Sequence, residues 1–273
     1  MRELIDCHTH TERCGHAEGT LDQYANAAVH AGLSGMVFTE HLALPDHLDP
    51  DSTLSMPACQ LDEYLVEIEL IRQRYPQIEL VAGLEADYLP AHLDDTRAAL
   101  AQARARTDRP RMVLGSVHFI GDWVFDDPNR IAEWEQHSVE QAWIDYFELW
   151  CQAASSGLFD VMAHPDLVKK FGHRPSFDLA ELFEHAARAA IDGGVLIEVS
   201  TAGLRKPASE LYPGPELLAA FARAGVGATV GSDAHHPSEV GYRIEFAYDE
   251  MLRAGYTHAS FPLGDGTYRK VAL

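Results

Sequence analysis

Two rhythms alternate along this chain. Short apolar runs with the length of a buried strand are separated by longer stretches in which apolar residues return every third or fourth position, as on one face of a helix. Leu4-Ile5 closes a first strand. Thr20-Leu21-Asp22-Gln23 then fits a capping box, opening a helix that runs to Ala31 with Gly32 just past its end. Gly35 to Phe38 is the second strand. The proline- and aspartate-rich stretch from Leu44 to Pro57 reads as a long loop, followed by a helix from about Asp62 to Tyr75. Ile78 to Gly83 predicts a strand, Leu93 to Arg106 an alanine-rich helix, and Met112 to Leu114 a fourth strand. Glu133 to Ala154, rich in tryptophan and tyrosine, predicts one long helix, and Phe159 to Ala163 the fifth strand. A helix over Phe177 to Ile191 and a strand over Val195 to Val199 follow. Gly214-Pro215-Glu216 opens a further helix, with proline at its first position, and Gly225 closes it. Val226 to Val230 is the seventh strand, Glu239 to Arg253 the last helix, and Tyr256 to Leu273 holds one more short extended piece.

Strand and helix in repeated alternation make neighbouring strands run parallel, and seven or eight such units suggest a closed α/β barrel. The alternative is an open doubly wound sheet, but the chain lacks the glycine-rich phosphate turn usual after its first strand. No low-complexity segment or linker divides the sequence, so residues 1–273 are read as a single domain. Hydrophobic residues make up 47% of the chain, ample for one large core. With 42 acidic residues against 21 basic ones, the net charge is −21. That surplus speaks against nucleic-acid or anionic-membrane partners, both of which need a basic surface. A small phosphorylated substrate is still admissible, because bound divalent cations reverse the field locally. The four cysteines, Cys7, Cys14, Cys59 and Cys151, form neither a C-x-x-C pair nor a disulfide framework. No charged leader precedes an apolar stretch and no apolar run is long enough to span a bilayer, so the expected setting is cytoplasmic.

Histidine changes the picture. There are 15 of them, and many fall where a predicted strand passes into its outgoing loop. His8 and His10 follow the first strand. Residues two apart in an extended chain point the same way, so the two imidazoles aim at one point. His41 follows the second strand, Glu85 the third, His118 the fourth and His164 the fifth, while Asp233 and His235 follow the seventh. Any one of these is unremarkable as a polar strand-end residue. Their recurrence on one rim, the C-terminal face on which barrel enzymes build active sites, points to a metal centre. His16, in the loop Cys14-Gly15-His16, is undecided on local sequence. His30, His47, His92, His137, His173, His185 and His258 read as surface or packing residues, and His236 has the opposite parity to its neighbour. A single catalytic zinc takes about three protein ligands, so this set suits two or three ions. Imidazoles mixed with two carboxylates favour Zn, Mn or Fe over Mg or Ca, and clustered ions of this kind serve phosphoester hydrolysis.

The same residues carry a family resemblance. His8-x-His10, Thr39-Glu40-His41, Gly83-Leu84-Glu85, His118, His164-Pro165 and Gly231-Ser232-Asp233-Ala234-His235 resemble the motifs of the PHP (polymerase and histidinol phosphatase) superfamily. Leu114-Gly115-Ser116-Val117-His118-Phe119-Ile120 resembles its histidinol-phosphate phosphatase branch, as do Ser200-Thr201-Ala202-Gly203-Leu204-Arg205-Lys206-Pro207 and Glu210-Leu211-Tyr212-Pro213. The match runs over essentially the whole chain. It implies a distorted (β/α)7, TIM-like barrel with a trinuclear site. One ion would take His8, His10, Glu85 and Asp233; a second would share Glu85 and add His118 and His164; a third would take His16, His41 and His235. The resemblance also implies hydrolysis of L-histidinol phosphate to L-histidinol and inorganic phosphate, late in histidine biosynthesis, by a hydroxide bridging the metals. Asp233, Glu85 and His235 form the implied catalytic set, with Asp233, or a water near it, a candidate for protonating the leaving alkoxide.

Phosphate recognition calls for a cation. Arg205 follows the sixth strand, whose end carries no metal-type residue, and a guanidinium fits phosphate oxygens in a bidentate fork. Lys169, Lys170 and Lys206 are the next candidates, against the alternative that they are solvated loop charges. Rival readings are a PHP phosphoesterase acting on another small phosphomonoester or on nucleic-acid ends, and a binuclear amidohydrolase, in which Glu85 and His41 would be surplus. A non-catalytic module on a decayed barrel should have lost ligands, and none of the expected positions is missing.

Overall fold

Parallel strands buried on both faces need near-continuous apolar runs, and the runs read from the sequence become strands of that kind in the computed structural model, which describes residues 2–107 and 109–273. In chain order the first half comprises β1 (Ile5–Asp6), α1 (Leu21–His30), β2 (Gly35–His41), α2 (Leu61–Arg74), β3 (Glu79–Asp87), α3 (Leu93–Arg104), β4 (Met112–Ser116), β5 (Phe119–Ile120) and β6 (Trp123–Val124). The second half comprises α4 (Val139–Ala154), β7 (Val161–Met162), α5 (Ala180–Gly193), β8 (Leu196–Ser200), α6 (Pro215–Ala224), β9 (Ala228–Gly231), α7 (Ile244–Ala254), β10 (His258–Pro262) and β11 (Tyr268–Ala272).

Seven strands form one sheet in the order β1-β2-β3-β4-β7-β8-β9, all of them parallel. Its two edges meet. Cys7 N donates to Val230 O at 2.8 Å, and past the strand ends Thr9 bridges Ala234 in parallel. The result is a nearly closed (β/α)7 barrel, distorted where β1 and β7 are only two residues long. The helices pack their apolar faces outside it: α4 buries Trp143, Tyr146, Phe147 and Trp150, and α5 buries Phe183, Ala186 and Ala190. Helix ends follow local chemistry. Thr20 Oγ1 accepts from Gln23 N at 3.3 Å while Gln23 Oε1 accepts from Thr20 N at 2.8 Å, and Gly225 takes the left-handed conformation that stops α6. The antiparallel hairpin β10–β11 packs beside the N-terminal ends of β2 and β3, where Arg269 Nε donates to Glu79 at 3.3 Å. There the Phe261 ring lies 2.5 Å from where a Cβ on Gly35 would stand, so only glycine admits it.

Several expected boundaries need correction. The long helix over Glu133 to Ala154 is broken: a 3-10 segment, Pro128–Gln136, precedes α4, with His137 extended between them. Ser138 Oγ accepts from Gln141 N at 3.3 Å and starts α4 afresh. The helix expected from Phe177 starts at Ala180, where Asp178 Oδ1 accepts the first free N–H at 2.9 Å. The last helix starts at Ile244 rather than Glu239, because Gly241 and Arg243 have positive φ and cannot continue a right-handed turn. The tail holds two strands instead of one extended piece, and the small β5–β6 hairpin has no counterpart among the expected elements.

Candidate metal centre

The rim at the C-terminal ends of the strands gathers all the strand-end histidines and carboxylates. His8 and His10 lie just past the end of β1 with their Nε2 atoms 2.8 Å apart. Glu85, near the end of β3, lies between two groups of imidazoles. Its Oε2 is 3.1 Å from His8 Nε2, 3.2 Å from His10 Nε2 and 3.3 Å from His41 Nδ1. Its Oε1 is 3.0 Å from His164 Nε2 and 3.8 Å from His118 Nε2, and accepts a hydrogen bond from Ser116 Oγ. Asp233 Oδ1 sits 3.4 Å from His10 Nε2 and 3.4 Å from His235 Nδ1. His16 joins the cluster, its Nε2 3.1 Å from His235 Nε2. Gly15, at φ 83°, turns the loop there, packed so that a Cβ would stand 2.6 Å from Ser52 O. Ligand atoms of three overlapping groups, His8–His10–Asp233, His10–His41–His235 and His41–Glu85–His118, lie within 4.8 Å of one another.

This donor set fits divalent ions. Two imidazole nitrogens facing each other can share one proton at most, whereas a cation accepts both lone pairs. Five imidazoles around one buried carboxylate form an N/O set suited to Zn, Mn or Fe. The charges are coupled accordingly. Burial alone would raise the Glu85 carboxyl, but the neighbouring His8 holds it well below the usual carboxylate range, and does the same for Asp233. Burial keeps His41 and His235 well below the usual imidazole value, so both present neutral nitrogens. Burial works against protonating His118, yet Asp87 lifts it to about 10. The backbone is strained here as well: His164, Asp166 and Asp233 all have positive φ, a costly conformation for residues with a Cβ.

A cavity of about 550 Å³ opens above the cluster, lined by His16, His41, His118, His164, Asp233 and His235 among others. Arg205, Lys206 and Lys170 stand in its wall, with Asp126, Asp127 and Glu239 as carboxylates and Leu44, Phe119 and Tyr212 as apolar surface. Arg205 is partly committed: its Nη2 donates to the carbonyls of Ser232 and Asp233 at 3.0 Å each, its Nε pairs with Glu239 at 3.1 Å, and its buried Nη1 has no hydrogen-bond partner among the described residues. Among the described residues the Lys206 ammonium has no hydrogen bond or ion pair, and burial lowers its pKa.

The nomination of Lys169 needs correction. It is fully buried, and its three N–H donors go to Asp166 Oδ2 at 2.8 Å, Glu210 Oε2 at 3.0 Å and Leu211 O at 2.8 Å. It braces the loop after β7 and does not line the cavity; its neighbour Lys170 does, paired with Asp126 at 2.9 Å. His236 also stands apart, its Nδ1 accepting from Ser238 N at 3.1 Å in a turn.

Three residues that sequence reasoning passed over belong to the site. Glu198 is fully buried in β8, its Oε1 2.9 Å from His8 Nδ1 and its Oε2 accepting from His164 N at 2.8 Å. Asp87 Oδ1 lies 2.9 Å from His118 Nδ1. Both had a signal: Glu198 is a lone carboxylate in an apolar strand, which is costly unless paired, and Asp87 shares the parity of Glu85. Asp126 had none, because the β5–β6 hairpin brings it to the cavity.

Known proteins resemble this chain over most of its length. The model of the PHP domain matches residues 6–202. The Deinococcus radiodurans protein named "Probable histidinol-phosphatase" is 40% identical over 262 residues, spanning 96% of this chain and 97% of that protein. The histidinol-phosphatase of Bacillus subtilis is 28% identical, over 88% and 96% respectively. The fold is shared with the crystal structure of histidinol phosphate phosphatase from Lactococcus lactis, complexed with zinc, L-histidinol and phosphate. That likeness has a TM-score of 0.77 at 22% identity and covers 97% of this chain and 98% of the other.

Proposed function

The chain belongs to the PHP domain family, and on that premise we infer that it is a metal-dependent histidinol-phosphate phosphatase, converting L-histidinol phosphate to L-histidinol and inorganic phosphate. One observation carries the reading: seven histidines and two carboxylates converge at the floor of a cavity with cations in its wall. Two relatives that share most of the chain, from Deinococcus radiodurans and Bacillus subtilis, are named for this reaction, and the Lactococcus lactis protein was crystallised with zinc, L-histidinol and phosphate.

His8, His10, Glu85 and Asp233 would hold one divalent ion, Glu85, His118 and His164 a second, and His16, His41 and His235 a third. When bound, such ions supply Lewis acidity and a nucleophile at neutral pH for phosphoester hydrolysis. The chain's own groups do the rest. Lys206, Lys170 and Arg205 offer positive charge to the phosphate oxygens from the cavity wall. Arg205 also fixes the Asp233 main chain through two carbonyls. That keeps the Asp233 carboxylate at the cavity, where it can steer a proton toward the departing alkoxide oxygen. Asp126, held ionised against the effect of burial by Lys170 and His118, suits the ammonium of the amino alcohol. Phe119 and Tyr212 give a flat apolar surface for its imidazole.

The test is phosphate release by purified protein loaded with Mn²⁺ or Zn²⁺. The substrates are histidinol phosphate, an aryl phosphate, a nucleoside monophosphate and a 3′-phosphorylated oligonucleotide. Histidinol phosphate should be turned over fastest, and chelation should abolish release. Full activity in a metal-free preparation, or equal activity on every substrate, would overturn the reading.

A further inference from the structure

We propose that the metal positions of this centre are graded in affinity: those containing His8 and His118 hold their ions tightly, and the one at His16 and His235 exchanges with solution. The proposal rests on the metal-centre reading above and concerns what stands behind the imidazoles.

An imidazole offering one nitrogen to a cation must donate the other N–H somewhere, and the acceptor decides how basic the offered nitrogen is. Behind His8 stands a carboxylate. Glu198 Oε1 is 2.9 Å from His8 Nδ1, and both side chains are fully buried, so nothing screens the pair. The second oxygen of Glu198 accepts from His164 N at 2.8 Å. One side chain on β8 therefore fixes a residue in each of two positions. The glycine at 231 belongs to the same device: a Cβ there would overlap both Glu198 Oε1 and His8 Cβ, so only glycine lets the carboxylate reach across. Behind His118 stands Asp87, 2.9 Å from its Nδ1. It is carried on β3 two residues beyond Glu85, on the same side of the strand.

The third group is backed differently. His16 Nδ1 donates to the carbonyls of Cys14 and Thr53, each at 3.1 Å, and His235 Nδ1 lies 3.1 Å from Asp233 O. A carbonyl fixes the tautomer but adds no formal charge, and the carboxylate that does reach His235, Asp233 Oδ1 at 3.4 Å from Nδ1, is divided with His10 Nε2 at the same distance. His235 is also 31% exposed, against none for His8. His41, the remaining member, has its Nδ1 drawn to 3.3 Å from Glu85 Oε2, toward the other two positions. Among the described residues His10 Nδ1 and His164 Nδ1 have no hydrogen-bond partner, so the contrast in backing is that of His8 and His118 with His16 and His235; that contrast, greater exposure and a divided ligand act in one direction. Glu198 and Asp87 are thus positioning residues that set metal retention.

The experiment is a stepped chelator titration of Zn²⁺-loaded protein, with metal per chain read by elemental mass spectrometry after desalting. One equivalent should leave at a chelator strength about 10–100-fold below that which removes the others. His16→Ala should lack that early equivalent and keep the rest. Asp87→Asn, whose carboxylate makes no hydrogen bond but the one to His118 among the described residues, should turn a retained equivalent into an early one by about 10–100-fold. Glu198→Gln should do the same, and Asp87→Asn decides the matter if that variant does not fold. Simultaneous loss of all equivalents from the unmodified protein, or unchanged retention in Asp87→Asn, would overturn the grading. Absence of any bound Zn²⁺ in the unmodified protein would instead overturn the metal-centre reading itself.

Discussion

Glu85→Gln is the most informative single change, because one carboxylate faces two groups of imidazoles. Its Oε2 meets His8, His10 and His41 at 3.1–3.3 Å, and its Oε1 meets His164 at 3.0 Å. A glutamine keeps the shape but replaces one oxygen with an N–H₂. Whichever way the amide turns, one group loses its acceptor and the negative charge is lost from both. A hydrogen bond involving a charged group is worth about 1.5–3 kcal/mol, so losing the acceptor on one side and the charge on both costs from about 3 kcal/mol to an upper limit of about 6 kcal/mol. At about 1.4 kcal/mol per tenfold, kcat/KM should fall by roughly 10²–10⁴. Folding should survive, since β3 is held by parallel ladders to β2 and β4 rather than by this side chain. The assay is steady-state phosphate release with metal content and circular dichroism recorded for the same preparation. A variant with the normal metal complement and turnover within a few-fold of the original would refute the shared role of Glu85.

Lys206→Ala should lower kcat/KM by roughly 10–100-fold with metal content unchanged, because the ammonium lines the cavity and braces nothing else among the described residues. Arg205→Ala should lower both activity and metal retention, since its guanidinium holds the carbonyls of Ser232 and Asp233; elemental analysis separates the two variants. Asp126→Asn should raise KM for histidinol phosphate by about tenfold and leave an aryl phosphate unaffected, if its charge serves the substrate ammonium; equal effects on both substrates would count against that role. Ser138→Ala should cost about 1 kcal/mol in chemical denaturation by removing the cap of α4, with kinetics unchanged.

What the sequence disclosed tracks how locally each feature is encoded. Barrel strands are apolar on both faces, so a single run such as Leu80-Val81-Ala82 identifies one without knowledge of its partners. The capping box at Thr20 and the stop at Gly225 are complete within a few residues, and α1 starts and α6 stops as expected. The break at His137 is not local. The aromatic pattern continues through it, and what extends the backbone there is tertiary: the His137 ring stacks on Trp123, with centroids 3.8 Å apart. Strands of two residues, as in β5 and β6, are too short to show a period at all.

The same division runs through the site. Strand-end parity was enough to send His8, His10, Glu85 and Asp233 to one point, because a barrel turns the ends of all its strands to one face. Parity fails one turn later. Lys169 leaves the same strand end as His164, yet the 3-10 turn after Asp166 folds its ammonium back onto Asp166 and Glu210. Lys170, one position on, reaches the cavity instead. Net charge misleads in the same way when read as a whole. At physiological ionic strength a charge is felt over about 8 Å, so a phosphate on the cavity floor responds to Arg205, Lys206, Lys170 and the metal positions rather than to acidic residues across the surface. An excess of 21 negative charges is therefore compatible with binding a small phosphomonoester. It opposes a long polyanion, which would have to cross that outer surface to reach the same floor.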